Sequence, residues 1–212
     1  MTAIEPISSE TTFYVEMRNL TLARGERVLI DNLSLTLSSG SLVYVTGENG
    51  IGKSTLLLSL AGLLKPEIGQ IDYAGDAHPF NCAALLSQPD GSSRGFTAAE
   101  DLKFFLNLQS LSIDIDDLLR RTGLSAAASV MVEGLSLGQK KRLGLAKIMA
   151  SQRPLWLLDE PFSALDVQGR AFVTQTLSDH IKAGGIAVVA THSPIPLQGV
   201  QTKTLHLSSE MT

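Results

Sequence analysis

Residues 47–55 run Gly-Glu-Asn-Gly-Ile-Gly-Lys-Ser-Thr, which meets the spacing G-x-x-x-x-G-K-[ST] of a loop that cradles nucleotide phosphates. Ser41-Leu42-Val43-Tyr44-Val45-Thr46 before it is apolar and β-branched, and Leu56-Leu57-Leu58-Ser59-Leu60-Ala61 after it is helix-forming, so the loop joins a strand to a helix. A triphosphate needs many N–H donors close to its oxygens. Gly47, Gly50 and Gly52, with Glu48, Asn49 and Ile51 between them, let the backbone curl round it without a Cβ in the way. Lys53 is then expected to reach the β- and γ-phosphates as a point charge. Ser54, followed by Thr55, offers a hydroxyl to Mg²⁺, and the helix N-terminus adds its dipole.

Upstream of this loop the sequence reads as strands: Phe13–Leu20, Arg27–Ile30, Leu33–Leu37 and Leu42–Thr46, with turns at Arg24-Gly25-Glu26 and Ser38-Ser39-Gly40. Downstream, Ser54–Leu64 is predicted helical and stopped by Lys65-Pro66, and strands follow at Gly69–Tyr73 and Cys82–Ser87. After Gln88 the apolar spacing becomes helical, over Ala98–Leu108, Ile115–Thr122 and Gly138–Ala150. Strand signals return at Leu155–Leu158 and Ile186–Ala190, separated by a helix near Gln168–Ala183. The simplest layout is an α/β nucleotide-binding core, residues 13–87 and 151–212, interrupted by a helical insert at 88–150.

The 212 residues suffice for one domain, or one domain with a lobe. With 17 basic against 21 acidic residues, a formal net charge of −4, the chain offers no general polyanion-binding surface, and nucleic acid is not an expected partner. Cys82 is the only cysteine, which excludes an intrachain disulfide or a zinc cluster and fits a reducing, cytosolic setting. Residues 1–12 lack the basic start and apolar core of a signal peptide and read as a frayed tail. No stretch approaches the ~18 apolar residues that span a bilayer.

Pro154-Leu155-Trp156-Leu157-Leu158-Asp159-Glu160 is an apolar strand ending in two carboxylates. Open α/β sheets bind ligands at the C-terminal ends of their strands, so both acids are expected to face the phosphate loop. Asp159 would hold magnesium, directly or through water, and Glu160 is the natural general base for an attacking water. Trp156 reads as core packing. Leu135-Ser136-Leu137-Gly138-Gln139 precedes Lys140-Lys141-Arg142, with Ser136 a helix N-cap whose free N–H groups form an anion site. Three cations in the first helical turns oppose the macrodipole, which makes more sense if a phosphate docks nearby.

Taken together, these residues resemble the ATP-binding cassette of ABC transporters from about Val15 to His206. Gly47–Ser54 is similar to its Walker A loop, Leu135–Gln139 to its signature, Leu155–Glu160 to its Walker B strand, Ser163-Ala164-Leu165-Asp166 to its D-loop, His192 to its switch histidine and Gln88 to its Q-loop glutamine. The resemblance implies a P-loop NTPase: a RecA-like α/β core with an antiparallel β subdomain and an inserted α-helical subdomain. It also implies that ATP with Mg²⁺ is held between two cassettes, a homodimer, so that Ser136, Gly138 and Gln139 act in trans. Gln88 would join Ser54 and Asp159 at the metal and open the segment that grips integral membrane subunits. Asp166 would serve the D-loop, and His192 would bond to the γ-phosphate beside Glu160.

Two departures stand out. Leu137 replaces a usual glycine in the signature, and Arg24 stands where many cassettes place an aromatic ring for adenine. A guanidinium also stacks on a base, the alternative being a surface turn arginine. The run Pro154–Asp166, with Gly169, His180, Gly184-Gly185 and Ala190-Thr191-His192, resembles the haem-exporter subfamily of cytochrome c maturation. That subfamily resemblance implies a peripheral ATPase on the cytoplasmic face of the inner membrane, energising haem export or release of a haem-chaperone complex. The lobe residues Phe96, Phe104, Phe105 and Leu106 either meet a membrane subunit or fill the lobe's own core. Other readings are a transporter ATPase for another cargo and a non-transport cassette. DNA-repair cassettes need a long coiled coil between phosphate loop and signature, for which Lys53 and Ser136 lie too close in the chain. A module that binds without hydrolysing would lack Lys53 or Glu160.

Overall fold

The computed structural model describes residues 13–87 and 95–208. Its first elements are β1 (Tyr14–Arg24) and β2 (Arg27–Ser38), joined by a tight turn in which Gly25 has φ 62° and Arg24 pairs with Arg27. The sequence breaks β2 in two at Asp31-Asn32, but the strand runs through. Asn32 takes φ 51° and Asn19 opposite takes φ 48°, their amides bond at 2.9 Å, and Asp31 accepts from Thr21 at 2.8 Å. The polar pair is thus a bulge in a continuous strand, where the ladder register shifts.

β3 (Leu42–Thr46) leads through the glycine loop into α1 (Lys53–Leu60). This helix ends before Lys65-Pro66. Gly62 adopts φ 73°, its N–H donating to Ser59 O and the Leu63 N–H to Leu58 O, a left-handed glycine cap that closes the helix one turn early. β4 (Ile68–Tyr73) returns to pair antiparallel with β1, giving a three-stranded sheet in the order β2-β1-β4. A short helix that the sequence did not announce, α2 (Pro79–Cys82), opens β5 (Ala83–Leu86).

The helical stretch holds α3 (Ala98–Leu108), α4 (Ile115–Arg121) and α5 (Leu137–Ser151), each started by a side-chain cap from Thr97, Asp114 and Ser136. Their apolar stripes meet in one cluster around Leu102, Leu106, Leu119, Leu143 and Ala146. Leu106 lies in that cluster and Phe105 packs against it, whereas Phe104 is 47% exposed and stacks on Phe96 with ring centroids 5.5 Å apart. Only part of that apolar set fills the lobe's interior.

β6 (Leu155–Asp159), α6 (Val167–Lys182), β7 (Ile186–Ala190) and β8 (Thr202–His206) complete the chain. The parallel sheet runs in the order β5-β6-β7-β3-β8. Its inner strands are covered on both faces, which is why they read as unbroken apolar runs. Alternation divides their side chains between two cores. Val43, Val45, Leu155, Leu157 and Val188 pack with Leu56 and Leu60 of α1 and with Met17 and Leu22 of β1. Tyr44, Trp156, Leu158 and Val189 pack with Leu145 of α5 and with Val173 and Leu177 of α6. Trp156 lies in the core as expected, stacked on His180 at 3.9 Å and 9°. β8 escaped the sequence because Thr202-Lys203-Thr204-Leu205-His206 is a mostly exposed edge strand with little apolar signal.

Candidate nucleotide-binding and catalytic site

Three strands deliver the site. In the parallel register Asp159 stands beside Ala190, and Ala190 beside Val45, so the ends of β3, β6 and β7 are level. The phosphate loop, Asp159-Glu160 and Thr191-His192 therefore emerge side by side, at the C-terminal edge of the sheet where ligands bind in this architecture. Residues of the loop, Asp159, Glu160 and His192 line a cleft of about 940 Å³, together with Arg24, Arg27, Leu29 and Ser87.

The loop's backbone requires its glycines. Gly47 has φ 139° and Gly52 φ 121°, and a Cβ on Gly47 would stand 2.5 Å from the Leu207 carbonyl oxygen. Lys53 is only 7% exposed, its ammonium donating to Gly47 O at 2.8 Å and Glu48 O at 2.9 Å. The loop thus folds round its own cation and keeps that charge on the cleft wall.

Ser54 Oγ donates to Asp159 Oδ2 at 2.6 Å. One hydroxyl and one carboxylate, converging from two elements at the mouth of a phosphate loop, form the oxygen-only donor set that Mg²⁺ takes when phosphates and water complete its shell. These residues fit the metal. Gln88, the third metal candidate, lies outside the described residues, as do residues 1–12.

Glu160 is held by its backbone. It has φ 47°, its N–H donates to Ala190 O at 2.9 Å, and its carbonyl accepts from Ser163 Oγ at 3.1 Å and from the Lys141 ammonium. Its side chain is 18% exposed and receives a long bond, 3.4 Å, from Thr191 Oγ1 at Oε2. The other oxygen, Oε1, is buried without a hydrogen-bond partner and lies 3.5 Å from His192 Nε2, a separation with no hydrogen-bond geometry. His192 Nε2 instead bonds Asn49 Oδ1 at 2.8 Å, which ties the histidine to the phosphate loop. The carboxylate thus stands beside the cleft with one oxygen buried and unpartnered.

Ser136 caps α5, accepting from Gln139 N at 3.2 Å while Gln139 Oε1 accepts from Ser136 N at 2.9 Å, a reciprocal box. Gly138 packs closely on the loop after β6, where a Cβ would crowd Ala164 O at 3.0 Å. Leu137 is 62% exposed on the first turn, without positive φ, so the substitution of the usual glycine strains nothing within the chain. None of Ser136, Gly138 and Gln139 lines the 940 Å³ cleft. Asp166 caps α6, accepting from Gly169 N at 2.7 Å, and pairs with Arg142 at 3.1 Å.

One expectation needs correcting. The cations after Gln139 do not await a phosphate: Lys140 donates to Glu133 O at 3.1 Å, Lys141 to Glu160 O and Ser163 Oγ, and Arg142 to Asp166. Their partners stand up to 24 positions away, so local sequence gave no sign of them. Arg27 was also missed, although its pairing with Arg24 across the Gly25 turn follows from the hairpin. Among the described residues that line the cleft there is no Phe, Tyr or Trp.

The profile of the ABC transporter family matches residues 30–163. The cytochrome c biogenesis ATP-binding export protein CcmA of Rhodopseudomonas palustris is 37% identical over 91% of this chain and 96% of its own length. The same-named protein of Methylococcus capsulatus is 38% identical over 87% and 93%. A solved ATP-binding subunit of an ABC transporter superposes with a TM-score of 0.76 at 22% identity, over 84% of this chain and 79% of its own, a likeness of fold. On this evidence the chain belongs to the ABC transporter family, as an ATP-binding subunit whose relatives include the CcmA proteins.

Proposed function

We propose that the chain hydrolyses ATP through Glu160 and, paired with a second copy, energises the export step of cytochrome c biogenesis from the cytoplasmic face of the inner membrane. The observation that carries the catalytic reading is the free Oε1 of Glu160, beside the Ser54–Asp159 pair and within 3.5 Å of His192.

The roles follow from the geometry. Backbone N–H groups of the loop and the Lys53 ammonium bind the β- and γ-phosphates, and the α1 N-terminus adds its partial positive charge. Mg²⁺, when bound at Ser54 and Asp159, neutralises phosphate charge. Glu160 Oε1 accepts a proton from the attacking water and orients its lone pair toward the γ-phosphorus. His192, steadied by Asn49, is in position to donate to a γ-phosphate oxygen as charge shifts. Arg24 and Arg27 offer guanidinium faces for the base in a cleft whose described lining has no Phe, Tyr or Trp.

Ser136, Gly138 and Gln139 do not line their own chain's cleft, which supports a role at a partner's nucleotide. Among the described residues no helix is long and apolar enough to cross a membrane, so membrane attachment would come through integral subunits. The exposed Phe104 and its stack on Phe96 are candidates for that contact. The names of the relatives favour an export step in cytochrome c biogenesis as the process, and haem, or a haem-chaperone complex, is the cargo that we infer for it.

The test is a strain carrying Lys53→Ala. Covalent haem attachment to exported c-type cytochromes is expected to fail while other haem proteins stay intact. Normal cytochrome c maturation in that strain would reject the haem-export assignment and leave a transporter ATPase for another cargo.

A further inference from the structure

Helix α5 has two ends of interest within its first two turns. Its capped N-terminus presents the signature residues, and five positions beyond Ser136 its Lys141 side chain crosses to the strand that carries the base. The Lys141 ammonium donates to the carbonyl of Glu160 and to Ser163 Oγ, and Ser163 itself donates to the same carbonyl through Oγ at 3.1 Å and N–H at 3.3 Å. One carbonyl oxygen therefore gathers three donors. It belongs to a residue at φ 47°, a left-handed backbone that a glutamate adopts only when its surroundings impose it.

Lys141 is partly desolvated, and burial pushes its pKa below the usual lysine value while the Glu160 and Asp159 carboxylates hold it up. Burial acts against an ammonium at this position, and the hydrogen bonds to the Glu160 carbonyl and Ser163 Oγ offset it. The contact joins two elements with no sequence relation, 19 positions apart.

We propose that Lys141 is a positioning residue for the general base: it fastens the Glu160 backbone to the signature helix of the same chain. This rests on the ATPase reading above, with Glu160 as base and Ser136 serving the partner's nucleotide. The consequence is coupling. When the signature helix moves onto the nucleotide of the opposite site, it carries the base of its own site with it, so each site is completed by events at the other.

Two variants test this, Lys141→Met, which keeps the stem and removes the donors, and Lys140→Met, whose lysine reaches only the Glu133 carbonyl in this structure. Lys141→Met is expected to lower kcat at least tenfold, with ATP affinity within twofold of the parent by nucleotide titration and a Hill coefficient for ATP that falls toward one. Lys140→Met is expected to stay within twofold in rate. Mixed dimers then separate cis from trans action, using Glu160→Gln to silence hydrolysis at one site while ATP still binds there. Lys141→Met is expected to lower the remaining activity at least tenfold when it shares a chain with the intact Glu160, and to leave it when it shares a chain with Glu160→Gln. A kcat within twofold of the parent, a loss of ATP affinity that matches the loss of rate, or the reverse pattern in mixed dimers would overturn the proposal. A parent chain that does not hydrolyse ATP would instead remove the reading beneath it.

Discussion

Glu160→Gln is the sharpest perturbation of the site, because it changes two atoms' chemistry and almost nothing in the fold. The turn is held by main-chain groups: Glu160 N–H to Ala190 O at 2.9 Å, and the Glu160 carbonyl to Ser163 and Lys141. None of these involves the carboxylate. The side chain's own bond, from Thr191 Oγ1, is 3.4 Å long, so its loss costs no more than about 1 kcal/mol. At this size that shifts the melting temperature by about 2–4 °C at most. The catalytic effect is of another order. A positioned general base contributes roughly 10²–10⁴-fold, which corresponds to about 3–5 kcal/mol of barrier. The amide presents no basic lone pair at the buried Oε1 position, while removing a negative charge from a cleft that receives phosphates. The expected variant binds ATP at least as tightly as the parent, hydrolyses it at least a hundredfold more slowly, and accumulates as an ATP-bound dimer. Phosphate release at saturating Mg²⁺ and ATP gives the rate, and size-exclusion with and without ATP gives the dimer. Hydrolysis within threefold of the parent would exclude Glu160 as base, whatever the fate of the dimer.

Two further outcomes are expected. A Ser136→Arg chain and a Lys53→Ala chain are each inactive alone, yet mixing them restores at most one working composite site per dimer; near-parental activity in Ser136→Arg by itself would reduce Ser136 to a helix cap. His180, stacked on Trp156 and desolvated, has a pKa below its usual 6.5, so the folded chain binds its proton more weakly than the unfolded chain does. This contribution is intact above about pH 6.5 and declines as pH falls, until the folded form also takes up the proton. Denaturant midpoints of the parent against His180→Phe, measured across this range, are expected to converge at low pH; a constant difference would refute the linkage.

What the sequence disclosed and what it withheld have one physical division. Phosphate cradling needs glycines, a lysine and a hydroxyl at fixed offsets, so Gly47–Ser54 was legible, and its strand and helix lie where the flanking pattern put them. Ser136 and Gln139 cap each other across one turn, again a local rule. Local cues misled where tertiary pairing decides. Asp31-Asn32 look like a break, yet Asn19 and Thr21 on β1 absorb them into a bulged strand. Lys65-Pro66 look like a helix stop, yet Gly62 had already closed α1. β8 carries little hydrophobic signal because its value lies in backbone pairing to β3 at the sheet edge. Lys140-Lys141-Arg142 look like an anion site because Glu160, Ser163 and Asp166 are remote in sequence.

The same division bears on how far the described residues carry the function: every group proposed for the reaction is suited to phosphate, magnesium or water. Two of the exposed aliphatic side chains sit at helix starts: Leu137 opens α5 at 62% exposure and Val167 opens α6 at 84%. Each follows a capping side chain, Ser136 or Asp166, that anchors the helix end it belongs to. Rigid ends bearing exposed aliphatic groups are suited to meeting another protein surface, and in the proposed dimer that surface belongs to a second copy presenting its phosphate loop. In the proposed complex, cargo selection falls to the membrane subunits. The specificity that distinguishes one transporter from another would be felt here only as a force on the helical lobe, transmitted to Glu160 through whatever fastens α5 to β6.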